Sequence, residues 1–167
     1  MLKKVITQNS KETQKLGEKI ASRIFNFKNK SSKNRKIQKE KAMVICLEGN
    51  LGAGKTTFTQ GFLRRLKLKG PFTSPTFLIM KNYHIQENNN KNKFENVYHI
   101  DAYRIEEKDM AELGWEEIVS NSKNIVIIEW SERLKKIIPK ESYWIRFKQT
   151  SKKEEEREIE FGKNFIF

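Results

Sequence analysis

Eight consecutive residues, Gly49-Asn50-Leu51-Gly52-Ala53-Gly54-Lys55-Thr56, satisfy the pattern G-x-x-x-x-G-K-[ST] at every fixed position. Glycines at this spacing let the backbone curl until successive amide hydrogens point inward at phosphate oxygens, and a helix that follows adds its positive end. Lys55 supplies a mobile cation for the β and γ phosphates. Thr56 presents a hydroxyl to a magnesium ion bridging the same phosphates, and Thr57 completes the stretch. The chemistry implied is a Walker A loop that binds ATP with Mg2+.

Such a site also needs acids for the metal and for the attacking water, and in a parallel α/β sheet these come from the carboxyl ends of neighbouring strands. Two segments fit. Val97-Tyr98-His99-Ile100-Asp101 and Ile125-Val126-Ile127-Ile128-Glu129 are each an apolar run ending in an acid. Asp101 could hold magnesium through a coordinated water, while Glu129 could complete that shell or orient the hydrolytic water; sequence does not separate the two roles. Thr76, in Thr73-Ser74-Pro75-Thr76-Phe77, is placed where nucleotide switches put a hydroxyl that reaches the γ-phosphate and the metal. A turn residue bonding its own backbone is the competing reading for Thr76. Trp130 is either a core aromatic or a surface platform. His84 and His99 lack the partners of a metal site and read as structural.

The elements that must carry these residues follow from hydrophobic period. Val5 and Ile6 suit a short first strand, and Ser10 an N-cap for a helix from Lys11 to about Phe25, with Leu16, Ile20 and Ile24 on one face. Ala42 to Leu47 is a continuous apolar run, as in a strand buried on both faces of a parallel sheet. Strand, glycine loop and a helix over Lys55–Leu66, mildly broken by Gly61, make the setting a phosphate loop needs. Gly70 and Pro71 stop that helix. Strands are expected over Thr76–His84, Val97–Ile100, Ile125–Ile128, Tyr143–Phe147 and Arg157–Phe161. Helices are expected over Glu106–Leu113, ended by Gly114, and from Ser131 to before Pro139. The fold class is therefore α/β and P-loop NTPase-like, with a mostly parallel central sheet flanked by helices and antiparallel strands at the C-terminal end. One domain over 1–167 is expected.

Composition bounds the rest. At 167 residues with 37% hydrophobic, the chain can bury one ordinary core, and no apolar run approaches the ~18 residues of a membrane span. The opening MLKKVITQNS lacks an apolar signal core, and the single Cys46 lies inside AMVICL as a small buried hydrophobe. Both features favour the cytoplasm and no membrane partner. Residues 1–42 hold 13 Lys or Arg against Glu12, Glu18 and Glu40, so +10 of the net +13 lies there. Within that segment, 28–41 (KNKSSKNRKIQKEK) has the composition of a solvated basic loop, and 86–93 reads as a polar hairpin insertion.

The segments GNLGAGKTTF, SPTF, YHIDAYRI, ELGWEEI and IIEW, in this order on so short a chain, resemble the bacterial TsaE family, also called YjeE. The resemblance covers about residues 10–148. It implies a small cytoplasmic ATPase that takes part in threonylcarbamoyladenosine (t6A) modification of tRNA next to the anticodon. Such an ATPase is weak alone and active in a complex with the transferase subunit and its paralogue, of the TsaD and TsaB type, with tRNA an indirect partner and contact of the basic 28–41 segment with it left open. It further implies that Lys55 and Thr56 contact phosphate and metal, that Asp101 and Glu129 form the magnesium and hydrolysis site, and that Trp130 supports activity. Thr76 falls in the switch-like segment, and Thr13, in ETQKLGEKI, would lie near the adenine. Asn50 stands where the family commonly has Asp, and the 28–41 and 86–93 segments look longer than usual.

Two rival readings remain at this stage. A P-loop small-molecule kinase has similar size and motifs, but no arginine-rich lid segment is found. An RNA-binding protein using ATP is suggested by the basic opening segment, and strongly salt-dependent RNA binding would be its mark.

Overall fold

The computed structural model describes residues 3–30, 41–86, 94–151 and 153–165. Seven strands form one sheet: β1 (Lys3–Thr7), β2 (Met43–Glu48), β3 (Met80–His84), β4 (Asn96–Asp101), β5 (Asn124–Glu129), β6 (Tyr143–Gln149) and β7 (Arg157–Phe161). Their order across the sheet is β1-β7-β6-β2-β5-β4-β3. The central four, β6, β2, β5 and β4, run parallel. The C-terminal strand β7 is antiparallel to β6 and to β1, as expected, and β3 adds an antiparallel edge on the far side.

Helices cover both faces. On one side lie α1 (Ser10–Lys30) and α2 (Lys55–Arg65), and on the other α3 (Asp109–Glu112), α4 (Trp115–Ser120) and a 3-10 turn (Ser131–Leu134). Alternation along the strands divides the core accordingly. Met43, Ile45 and Leu47 of β2, with Ile125 and Ile127 of β5, pack on Phe58, Phe62 and Leu63 of α2 and Ile20 and Ala21 of α1. Val44 and Cys46, with Val126 and Ile128, pack on Met110, Trp115, Ile118 and Leu134. A strand buried on both faces leaves no polar position, which is why β2 and β5 read as unbroken apolar runs. Burial raises the pKa of the Cys46 thiol, as suits a small core residue.

Several boundaries differ from the sequence reading. The cap of α1 is Asn9, not Ser10: the Asn9 side chain accepts from the Glu12 amide at 3.0 Å, and the Glu12 carboxylate accepts from the Gln8 amide at 2.8 Å. The helix runs on to Lys30, past the expected end at Phe25. Strand β3 begins at Met80 rather than Thr76, because residues 76–78 form a turn with the Leu78 amide bonded to the Pro75 carbonyl at 2.8 Å. The segment 106–113 holds only the four-residue α3. Gly114, in the left-handed region at φ 72°, redirects the chain into α4, so it starts a helix rather than merely ending one. Gly61 does not weaken α2 without compensation. A Cβ there would sit 2.0 Å from the Gln14 carbonyl oxygen and one on Gly17 would sit 2.2 Å from that of Phe58, so the pair lets α1 and α2 cross at backbone contact. Residues 31–40 of the basic segment and 87–93 of the polar insertion lie outside the described residues. Among the described residues, no helix is long and apolar enough to cross a membrane.

Candidate active site

Because β2, β4 and β5 are parallel and in register, their carboxyl ends reach the same edge of the sheet: Leu47 pairs with Glu129, and Glu129 with Asp101. The glycine loop leaves β2 at this edge. Gly49 holds φ 139° where a Cβ would sit 2.3 Å from the Phe147 carbonyl oxygen, and Gly54 precedes α2 at φ 101°. Both conformations favour glycine. The amides of the first turn of α2 have no helical carbonyl to bond and so remain for an anion.

Alternation sets which side chains converge. Val97, His99 and Asp101 on β4, and Ile125, Ile127 and Glu129 on β5, occupy same-parity positions, and Val97, Ile125 and Ile127 pack on the α2 side. The two acids therefore face the start of α2. Glu129 accepts a hydrogen bond from the Thr56 hydroxyl at 2.7 Å on Oε2, and its Oε1 lies 2.8 Å from His99 Nε2. Asp101 Oδ2 accepts from Ser74 and Thr76 hydroxyls at 2.6 Å each, and Oδ1 accepts from the Tyr103 amide at 3.0 Å. Both carboxylates are buried, at 4% and 2% exposure for Asp101 and Glu129, which for acids calls for partners of this kind.

The Lys55 ammonium donates to the Gly49 and Asn50 carbonyls at 2.5 and 2.9 Å and lies 3.8 Å from the centroid of the Trp130 ring. Burial pulls its pKa below the ordinary lysine value, against the opposing charges of Glu129, Glu132 and Asp101. Trp130 itself sits in the left-handed region at φ 59°, a strained backbone for a bulky residue that turns the chain immediately after Glu129. Its ring packs on Tyr103 with centroids 4.9 Å apart. The side chain is half-buried: it packs against the core cluster of Val44, Met110 and Leu134 and also lines the cavity beside the loop lysine, so both readings of it have a structural basis.

A cavity of about 310 Å³ joins these groups, lined by Leu51 to Thr57, Ser74, Thr76, Asp101, Tyr103, Glu129 and Trp130. Ser10, Thr13, Glu155 and Arg157 line it too, Thr13 and Arg157 beside Gly54 of the loop. Thr13 reaches it because the glycine-mediated crossing of α1 on α2 brings the first turns of α1 to the loop; its buried hydroxyl bonds that of Thr7 at 2.8 Å. Of the residues named from sequence, Thr13, Leu51 to Thr57, Thr76, Asp101, Glu129 and Trp130 all line this one cavity. Gly49 and Asn50 lie at the back of the loop, facing a separate groove with Glu132 and Arg146, and contribute through their carbonyls. The hydroxyl of Thr76 bonds a side chain, Asp101, and not its local backbone.

Three participants escaped the sequence reading. His99, read as structural, is a direct partner of Glu129; its even spacing from Asp101 was the available signal. Ser74 shares Asp101 with Thr76. Arg157 donates from Nε and Nη2 to the Gly52 carbonyl at 3.1 and 3.0 Å, tying β7 to the loop. Nothing in a closing strand's pattern marks such an arginine.

The donor set fits magnesium. The converging atoms are hydroxyl and carboxylate oxygens, the hard donors this ion takes. Among the described residues there is no group of three or more His, Cys, Asp or Glu that could hold a metal by itself.

Residues 7–159 match a family model described as threonylcarbamoyl adenosine biosynthesis protein TsaE. The tRNA threonylcarbamoyladenosine biosynthesis protein TsaE of Bacillus subtilis is 36% identical over 118 residues, which is 71% of this chain and 68% of that one. The protein of the same description from Aquifex aeolicus is 36% identical over 135 residues, 80% of either chain. That from Haemophilus influenzae is 36% identical over 104 residues, 62% of this chain and 61% of that one. Among solved structures, the crystal structure of Bacillus subtilis YdiB aligns with a TM-score of 0.64 and 28% identity, covering 96% of this chain and 86% of that one.

Proposed function

The chain belongs to the TsaE family of tRNA threonylcarbamoyladenosine biosynthesis, and from that membership we propose that it is the P-loop ATPase subunit of that machinery. In this reading it hydrolyses ATP within a complex with the transferase subunit and its paralogue, of the TsaD and TsaB type, while tRNA is modified next to the anticodon. Alone, its turnover is weak.

The observation that carries the reading is the contact between Thr56 and Glu129 at 2.7 Å, with Asp101 paired to Glu129 on the next strand. It supports one site holding a loop hydroxyl and two carboxylates at the end of a phosphate cradle. The loop amides and Lys55 bind the β and γ phosphates, with Lys55 leaving the Gly49 and Asn50 carbonyls to do so. Thr56, Asp101 and Glu129 would hold Mg2+, which when bound neutralises charge developing on the phosphates. Glu129 orients the attacking water. Trp130 limits where Lys55 can move, and Thr13, which lines the same cavity, would contact the base. Leu51, Phe77 and Leu78, exposed apolar side chains on the loop and the switch-like turn, are the groups a partner would cover.

A pull-down of the full chain from native cell extract, with and without ATP, tests the process. Recovery of the transferase and its paralogue supports it. No recovery in either condition, together with no stimulation of hydrolysis by the purified complex, overturns it.

A further inference from the structure

His99 is buried to 1% exposure, two positions before Asp101 on β4 and at the same parity. Its Nε2 lies 2.8 Å from Glu129 Oε1, and the other carboxylate oxygen accepts from Thr56. Its Nδ1 is buried and has no hydrogen-bond partner among the described residues. A proton on Nδ1 would be an unpaired buried donor, whereas a proton on Nε2 meets a carboxylate, so the contact assigns the ring proton to Nε2.

We propose that His99 is a positioning residue for Glu129. The imidazole occupies Oε1 and leaves Oε2 as the oxygen that faces Thr56 and the cavity. A glutamate side chain has three rotatable bonds, and a free carboxylate could present either oxygen or swing toward Lys55. Held at Oε1 by a ring that is itself buried, it presents one oxygen in one place, as partners behind a reactive carboxylate commonly do. This inference rests on the reading of Glu129 as the carboxylate serving the nucleotide site.

Two measurements test it on the full chain. Nitrogen-15 NMR of the imidazole, without nucleotide, is expected to show Nε2 protonated and Nδ1 bare; a proton on Nδ1 overturns the proposal. In Mg-ATP hydrolysis, H99L is expected to lower kcat about 10- to 100-fold, the range seen on loss of such partners, with KM changed less than about threefold. H99Q, whose amide nitrogen can replace Nε2 as donor, is expected to recover most of the loss. H99L with unchanged kcat, or H99Q no better than H99L when thermal melts show both folded, overturns it. A wild-type chain that fails to hydrolyse ATP, alone and with its partner complex, defeats the ATPase reading instead, and the ring NMR still decides the contact between His99 and Glu129.

Discussion

Thr56 and Glu129 lie 73 positions apart in the chain, yet the hydroxyl of the first donates to the carboxylate of the second at 2.7 Å. Two parallel strands in register and one tight glycine loop produce the meeting, since Glu129 ends β5 beside Leu47 of β2 and Thr56 begins the helix after the loop. The contact joins the glycine loop to the strand end that supplies a carboxylate.

Glu129→Ala is expected to lower kcat by about 100-fold or more, the scale of a lost general base or water-orienting group. Nucleotide affinity, read with a fluorescent ATP analogue, should change less than about threefold, because the loop amides and Lys55 remain in place. Hydrolysis at the wild-type rate would remove Glu129 from the reaction.

Lys55→Met separates binding from folding. Burial lowers the lysine pKa, so the folded chain disfavours the charged form relative to the unfolded one. The sign follows: the unfolded state binds more protons between the lowered value and the ordinary lysine value, and stability rises with pH across that window. Methionine keeps the stem without the charge. The variant is expected to melt no lower than wild type without nucleotide and to lose the upward shift in Tm that saturating Mg-ATP gives the wild type.

How much of this was legible in the sequence depends on the range of the interaction. The loop is local, and its eight residues carry the pattern outright. Asp101 and Glu129 were legible because each ends an apolar run, and parallel packing places strand ends together. Residues 76–79 read as the start of a strand because Thr76-Phe77-Leu78-Ile79 has high β propensity, and the hydrogen bonds from Thr76 and Ser74 to Asp101 that override it span 25 and 27 positions. His99 and Arg157 were missed for the same reason: each acts through a partner on another element. Gly17 and Gly61 carry no local sign of the helix crossing they permit.

That crossing makes its own prediction. Gly17→Ala puts a methyl carbon 2.2 Å from the Phe58 carbonyl oxygen and Gly61→Ala one 2.0 Å from that of Gln14, both backbone atoms that cannot swing aside. Each is expected to cost at least about 1–3 kcal/mol, the usual range for overpacking, measured as a fall in the urea midpoint. Gly17 is one turn from Thr13, so Gly17→Ala should also weaken ATP affinity beyond the effect of Gly114→Ala, where a Cβ would meet nothing within 4 Å.

The edge strand that leads into α1 carries a pH dependence. Hydrogen bonding to Lys4, with help from Lys148 and against desolvation, holds the Glu160 carboxyl below its ordinary pKa. A depressed carboxyl contributes stability that is present above the ordinary carboxylate value and is lost as pH falls through the folded value. Lys4→Met should therefore lower stability at neutral pH slightly and flatten its decline in acid, seen in urea midpoints between neutral pH and about pH 3.

Asp101 is shared by Ser74 and Thr76, each at 2.6 Å, and Ile79 at the end of that turn holds φ 63°, a strained value for a β-branched residue. Its carbonyl accepts from the Asp101 amide at 2.9 Å, so side chain and backbone of one residue both fasten the turn. The arrangement ties the position of residues 74–79 to a carboxylate that lines the cavity of the proposed nucleotide site. Asp101→Asn keeps a side-chain acceptor but removes the charge, whereas Asp101→Ala removes both bonds to the turn and the one from the Tyr103 amide. Amide hydrogen exchange over residues 74–79, without nucleotide, is expected to be near wild type in the asparagine variant and faster in the alanine variant by about 5- to 10-fold, the equivalent of a lost hydrogen bond of about 1 kcal/mol. Both variants should lose hydrolysis. Equal exchange in all three proteins would show that Asp101 does not hold the turn, and Thr76 would then revert to a local turn residue.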